Sequence, residues 1–191
     1  MPLRPATIAD AAALADFVNM AGEGLPLHLW TKMAGPGEDA WEVGRRRARR
    51  ENGGFSYRNA ILLEEHGSVV ACLIGYRLPD APEPIDYAAM PPMFVPLQEL
   101  ENLAPATWYV NVLACYPEER GKGYGARLLA EAEERASKSG CGGLSIIVSD
   151  ANKGARRLYE RHLYREIAHR PMVKEDWRNP GESWVLLVKD G

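Results

Sequence analysis

The sequence predicts an α/β fold: a mixed, mostly antiparallel sheet of six to seven strands with helices on both faces. Three observations carry this expectation. Short runs rich in Val, Ile, Leu and aromatic residues alternate with segments of helical periodicity. Two such runs, 57–65 and 68–77, are separated only by His66-Gly67, the spacing of a hairpin. A glycine-rich loop, Arg120-Gly121-Lys122-Gly123-Tyr124-Gly125, stands between a strand-like run and an amphipathic helical pattern.

In chain order, Leu3 and Arg4 read as a short first strand, and Thr7 to Asp10 offer capping side chains. Ala11, Leu14, Ala15 and Val18 recur at helical spacing to about Met20, and Gly22 and Gly24 end that helix. A second short helix fits 25–33. After the break at Gly35-Pro36-Gly37, Asp39 can cap a third, which carries Arg45-Arg46-Arg47-Ala48-Arg49-Arg50. Glu38, Asp39, Glu42 and Glu51 surround that basic run, so a solvated helix face accounts for it better than a phosphate or nucleic-acid surface. The hairpin 57–65/68–77 follows. Pro79 to Pro105 then holds seven of the fourteen prolines and five acids, Asp80, Glu83, Asp86, Glu99 and Glu101, without a Lys, Arg or His. Prolines at this density exclude central strands, so the segment is expected as a long loop with one helical turn near 97–103. Strand 108–115, helix 124–139, strand 144–148, helix 152–162 and a closing pair of strands, 166–173 and 184–189, complete the order. In helix 124–139, Leu128, Leu129, Ala132 and Ala136 form an apolar face, and Glu131 with Arg135 and Glu134 with Lys138 are i,i+4 pairs.

Composition bounds the rest. The 191 residues, 46% apolar and 26% charged, fit one domain over 1–191 with a long insertion at 79–105. No apolar stretch approaches the ~20 residues of a membrane span, and the first residues lack a secretory pattern. Cys72, Cys115 and Cys141 show no CxxC spacing, which argues against a metal site or disulfide framework and for a reducing cytoplasm. A net charge of -3 gives no support for nucleic-acid binding.

The segment from Val112 to Gly125 carries the chemistry. A strand running to about Pro117 leads through a loop with three glycines straight into a helix. Glycines accept positive φ and let a ligand approach the backbone. The free N–H groups of the first helical turn, with about half a positive charge from the helix dipole, suit an anion such as a pyrophosphate. Arg120 and Lys122 add side-chain charge.

This segment resembles motif A of the GNAT superfamily of N-acetyltransferases, Arg/Gln-x-x-Gly-x-Gly/Ala, matched by Arg120, Gly123 and Gly125. The lead-in Leu113-Ala114-x-x-Pro117-Glu118 is similar to that family's as well. So are Asn152, Ala155, Leu158, Tyr159 and Glu160 downstream, and Leu3-Arg4-Pro5-Ala6-Thr7 with Asp10 at the start. The resemblance covers most of the chain outside 79–105. It implies acetyl-CoA as co-substrate, held by Leu113, Ala114, Cys115, Arg120, Gly121, Lys122, Gly123, Tyr124, Gly125, Ala126 and Asn152, with no metal. It further implies a motif strand splayed from its neighbour, whose backbone pairs with the pantetheine arm. The Leu113 N–H then polarises the thioester carbonyl, an amine attacks directly, and Tyr159 protonates the departing thiolate. Asn152 is expected to bond the pantetheine or an ordered water.

Two departures stand out. Leu163 occupies a position where the family usually has Gly before an aromatic residue. A Leu disfavours the left-handed cap, so the helix is expected to end differently. The Glu that some ribosomal-protein-modifying members carry five residues before the motif Asn is Ile147 here. The base is therefore left open among the acidic insertion, Glu23 and solvent. Cys115, with no His near it in sequence, is expected to be a buried inert thiol rather than an acyl carrier.

A dinucleotide-binding oxidoreductase is the first rival, since Gly121-x-Gly123-x-x-Ala126 fits its fingerprint formally. Asp150 lies 24 residues beyond Ala126, later than that pattern prefers, and the 41 residues after it cannot complete a doubly wound sheet. A P-loop fails because Gly125 and Ala126 stand where Lys and Ser/Thr are needed. A non-catalytic acyl-CoA-binding module on the same fold is the second rival. The acidic insertion suits a cationic acceptor, such as a polyamine, an aminoglycoside-like amine or a Lys side chain. Met90, Met93 and Phe94 could seal a homodimer.

Overall fold

The computed structural model describes residues 2–191. Its strands are β1 (Leu3–Pro5), β2 (Ala60–Glu65), β3 (Ser68–Arg77), β4 (Trp108–Cys115), β5 (Gly143–Ser149), β6 (Arg165–Pro171) and β7 (Ser183–Asp190). Its helices are α1 (Ala11–Ala21), α2 (Leu25–Met33), α3 (Ala40–Ala48), α4 (Val95–Glu101), α5 (Tyr124–Lys138) and α6 (Lys153–Arg161). The strands hydrogen-bond in the order β1-β2-β3-β4-β5-β7-β6. The pairs β1–β2, β2–β3, β5–β7 and β6–β7 are antiparallel and β4–β5 is parallel, as the α/β expectation requires. The chain divides into two compact units, Met1–Gly75 with Asn111–Leu128, and Tyr76–Val110 with Leu129–Gly191.

In the first unit, Leu14 and Phe17 of α1 pack with Leu62, Cys72, Ile74 and Val112. Thr7 and Asp10 form the expected capping box: Asp10 Oδ2 accepts the Thr7 N–H at 2.7 Å and its hydroxyl at 2.9 Å. Asp39 caps α3 by accepting the Trp41 N–H at 3.0 Å. Gly44 is needed because a Cβ there would lie 2.5 Å from the Trp30 ring. Arg45 and Arg49 pair with Glu42 at 3.2 and 2.7 Å, and Arg46 pairs with Glu38, which fits the solvated-face reading of the basic run. The strand expected from Tyr57 starts only at Ala60. Ser56 Oγ instead accepts the Arg58 N–H at 3.2 Å and holds 57–59 in a 3-10 turn, because a short polar side chain competes with the ladder for the backbone. His66 and Gly67 both take positive φ, 51° and 80°, as a two-residue hairpin turn with matching twist demands.

In the second unit, β5, β7 and β6 form the antiparallel part, and α4 packs on β6 and β7. The insertion is stitched at its base by Leu78 N–H to Thr107 O (2.9 Å) and Ala106 N–H to Pro79 O (2.8 Å). Its helix is a full two turns starting at Val95, two residues before the expected 97–103, with Pro96 in the first turn, where its missing N–H costs nothing. The Glu131–Arg135 and Glu134–Lys138 pairs form as expected.

The end of α6 corrects an expectation. Leu163 takes the left-handed conformation despite its side chain, with φ 67°. Its N–H donates to Glu160 O at 3.1 Å, and the Tyr164 N–H donates to Tyr159 O at 3.1 Å. These are the two bonds of a Schellman cap. The helix ends as a glycine would end it because the rings of Tyr164 and Tyr159 close over the cap, 5.8 Å apart.

Candidate active site

The loop after β4 lies within the first unit. The chain leaves the strand at Cys115, the end expected from the run 108–115, and Tyr116 fixes the exit. Its N–H donates to Val70 O at 3.1 Å, and its ring lies 4.6 Å from that of Phe17. Pro117–Glu119 form one 3-10 turn. Gly121 and Gly123 then take φ of 80° and 83°, and a Cβ at either would meet nothing within 4 Å. The backbone here is left-handed and open on the side where a ligand would approach. The Arg127 N–H donates to Gly123 O at 3.2 Å as α5 begins, which leaves the preceding N–H groups, those of Tyr124, Gly125 and Ala126, as the donors of a helix N-terminus.

The two cations of the loop differ. Arg120 is exposed and forms no ion pair among the described residues. Lys122 is held by Glu119 at 2.6 Å and stands 3.7 Å from Glu65. Glu65 also accepts the Tyr124 hydroxyl, which pushes that phenol up to about 12. Tyr124 is 3% exposed, so its side chain anchors the loop and only its backbone faces outward. Leu113, Ala114 and Cys115 are half-buried. The expected burial of Cys115 is thus only partial, because the strand end faces the open loop. Its Sγ contacts Tyr116 O at 3.4 Å, and desolvation raises its pKa, which keeps it a thiol.

The second unit holds the downstream motif. Asn152 is the N-cap of α6, its Oδ1 accepting the Ala155 N–H at 3.1 Å. The motif position therefore has a structural use of its own. Tyr159 is 4% exposed and burial pushes its phenol well above the ordinary range. Its hydroxyl makes no hydrogen bond among the described residues. Four further ionisable groups gather in this unit that no motif singled out. Tyr109 and Tyr76 meet edge-on with ring centres 5.7 Å apart, and burial pushes both phenols up. The Glu101 carboxyl is pushed up to about 7, first by burial and then by the charge of Glu83. The signal for Glu101 and Glu83 was the acid-rich composition of the insertion. Nothing in the sequence singles out the two tyrosines from strand residues.

Among the described residues no three His, Cys, Asp or Glu side chains gather as a metal-binding set, and no helix is long and apolar enough to cross a membrane.

Residues 27–163 match the Acetyltransferase (GNAT) family. No curated protein matches the sequence. Among solved structures, the polyamine N acetyltransferase of Drosophila melanogaster, described as catalysing formation of N acetylagmatine, is 18% identical with a TM-score of 0.67, over 100% of this chain and 99% of that one. The ribosomal-protein-alanine N-acetyltransferase of Brucella melitensis is 19% identical with a TM-score of 0.61, over the whole of both chains. A GNAT family acetyltransferase of Elizabethkingia anophelis with acetyl-CoA bound is 17% identical with a TM-score of 0.50, over 69% of this chain and 75% of that one.

Proposed function

The chain belongs to the Acetyltransferase (GNAT) family, and we propose that it moves the acetyl group of acetyl-CoA directly to a primary amine. The observation that carries this reading is the loop 120–125. Two left-handed glycines with open space beside them, an exposed arginine and a helix N-terminus together suit a pyrophosphate. In this reading the N–H groups of Gly121, Gly123, Tyr124, Gly125 and Ala126 bind the phosphates, and Arg120 adds its charge. Lys122 chiefly braces the loop through Glu119.

The remaining roles follow from position. Leu113, Ala114 and Cys115 offer backbone groups to the pantetheine arm, and the Leu113 N–H stabilises the carbonyl oxygen as it gains charge. Asn152 holds the start of α6 and, through its amide nitrogen, the arm. Tyr159 gives its proton to the sulfur as the C–S bond breaks. A buried phenol suits that role because it keeps its proton throughout the neutral range. Cys115 takes no part as a nucleophile.

Calorimetric titration with acetyl-CoA, with NADH in parallel, tests the reading. Saturable binding of acetyl-CoA that disappears in Gly123→Glu is the expected result. A folded sample that ignores acetyl-CoA or prefers NADH overturns it, and binding without thiol release across a broad amine panel favours a sensing module instead.

A further inference from the structure

The loop 117–123 is tied at both ends to the hairpin of β2 and β3. At its entry, the Tyr116 N–H donates to Val70 O at 3.1 Å. At its exit, the hydroxyl of Tyr124, the first residue of α5, donates to the carboxylate of Glu65 at the end of β2. Glu65 is itself fixed, because it pairs with Ser68 across the turn His66-Gly67. A further tie lies inside the loop, where Lys122 donates to Glu119 at 2.6 Å and stands 3.7 Å from Glu65. Gly121 and Gly123, with φ of 80° and 83°, fall between the two end ties.

These ties matter because the loop has little else to hold it. No residue of 117–123 is buried, and neither glycine has a neighbour within 4 Å of where a Cβ would stand. Glycine leaves a left-handed conformation as readily as it enters one. Tyr124, 3% exposed, is the first buried side chain after the glycines, and its hydroxyl reaches back to the hairpin. Electrostatics alone would not put Glu65 there. A carboxylate 3.7 Å from the loop's lysine repels an anion that the loop receives.

We propose that Glu65 is a positioning residue for the acetyl-CoA loop: acting through the Tyr124 hydroxyl, it holds the chain at Gly121 and Gly123 in the shape that receives the phosphates before the ligand arrives. The inference rests on acetyl-CoA binding by the loop 120–125, as read above, and adds the hairpin as the part that sets its affinity. A loop already held in its bound shape gives up little freedom when it binds, so the tie is expressed as affinity.

The test is calorimetric titration with acetyl-CoA of wild type, Glu65→Ala, Tyr124→Phe and the double variant. Each single change should weaken binding about tenfold, the loss of one charge-assisted hydrogen bond. The double variant should lose no more than either, since both changes break the same bond. Charge alone predicts the opposite sign for Glu65→Ala, which removes a negative group beside an anion. Glu65→Gln, whose amide oxygen can still accept from the phenol, should recover most of the affinity. Glu64→Ala breaks the 2.7 Å pair with Arg4 at the adjacent residue of the same strand and controls for loss of hairpin stability. It should keep acetyl-CoA affinity within about twofold of wild type. Unchanged or tighter binding in Glu65→Ala, or additive losses in the double variant, overturns the proposal. Nitrogen-15 NMR of the ligand-free protein reads the loop directly. The Gly121 and Gly123 amide signals should move or broaden in Glu65→Ala and Tyr124→Phe and stay in place in Glu64→Ala; signals that stay in place in all three overturn it. A wild type that ignores acetyl-CoA would instead strike the reading of the loop, while the glycine signals still decide whether Glu65 shapes it.

Discussion

The rings of Tyr159 and Tyr164 lie 5.8 Å apart, joined by a hydrogen bond from the Tyr164 N–H to Tyr159 O at 3.1 Å. The residue that makes this bond possible is Leu163, which turns left-handed at φ 67° while 72% exposed. The proposed acid is therefore oriented by the end of its own helix, at a local conformational cost.

That cost is removable. Leu163→Gly relieves a strain of about 1 kcal/mol, and the exposed side chain has little packing to lose. The variant should unfold at higher temperature in a thermal melt, with Tyr159-dependent activity unchanged. A lower melting temperature would mean that the leucine makes contacts outweighing its strain.

Removing the proposed acid should act on turnover alone. Tyr159→Phe keeps the ring against Tyr164 and deletes only the hydroxyl. The kcat for thiol release should fall about a hundredfold with the amine KM little changed. Full activity would reduce Tyr159 to a core aromatic.

The two cations of the loop should prove unequal. Arg120→Ala removes a charge with no carboxylate partner and should weaken acetyl-CoA binding about tenfold. Lys122 is already tied to Glu119, and Lys122→Ala should weaken it about twofold or less. Calorimetry at two salt concentrations distinguishes them, since only the Arg120 contribution should fade as salt rises.

Acid stability should trace to Asp10. Hydrogen bonds from Arg4, with smaller help from Thr7, hold its carboxyl at about 2 against an ordinary 3.8. A depressed folded-state value stabilises above the unfolded value and is lost as pH falls through the folded one. The contribution, about 2 kcal/mol, should thus be intact above about pH 4 and disappear toward pH 2. Asp10→Ala should lower stability at neutral pH and flatten this segment of a denaturant-melt profile against pH.

Much of the fold was legible because its signals are local. Thr7 and Asp10, Asp39, and His66-Gly67 each dictate a cap or turn from side chains a few residues apart. The left-handed glycines of the loop 120–125 were legible for the same reason, since they follow from the chain's own local conformation. Leu163 was misread because the cap it closes is underwritten by a contact between two rings. The strand expected at Tyr57 gave way to Ser56, a competition that periodicity does not see. Glu101 was not singled out because only the acid-rich composition of the insertion marked it, and the burial that raises its carboxyl exists only in the folded unit.

Glu65 stands at the end of a hairpin strand, yet accepts the Tyr124 hydroxyl and lies 3.7 Å from Lys122. With Glu119 it largely cancels the lysine, which leaves exposed Arg120 as the loop's main unpaired cation among the described residues. A surface with so little net attraction makes a poor trap for stray polyanions. On the proposed reading it would reward an outline: a ligand that can thread two left-handed glycines meets the amides at the start of α5, and one that merely carries charge gains little beyond the pull of Arg120. A loop of this kind would recognise its proposed ligand as a lock reads a profile rather than as a magnet pulls iron.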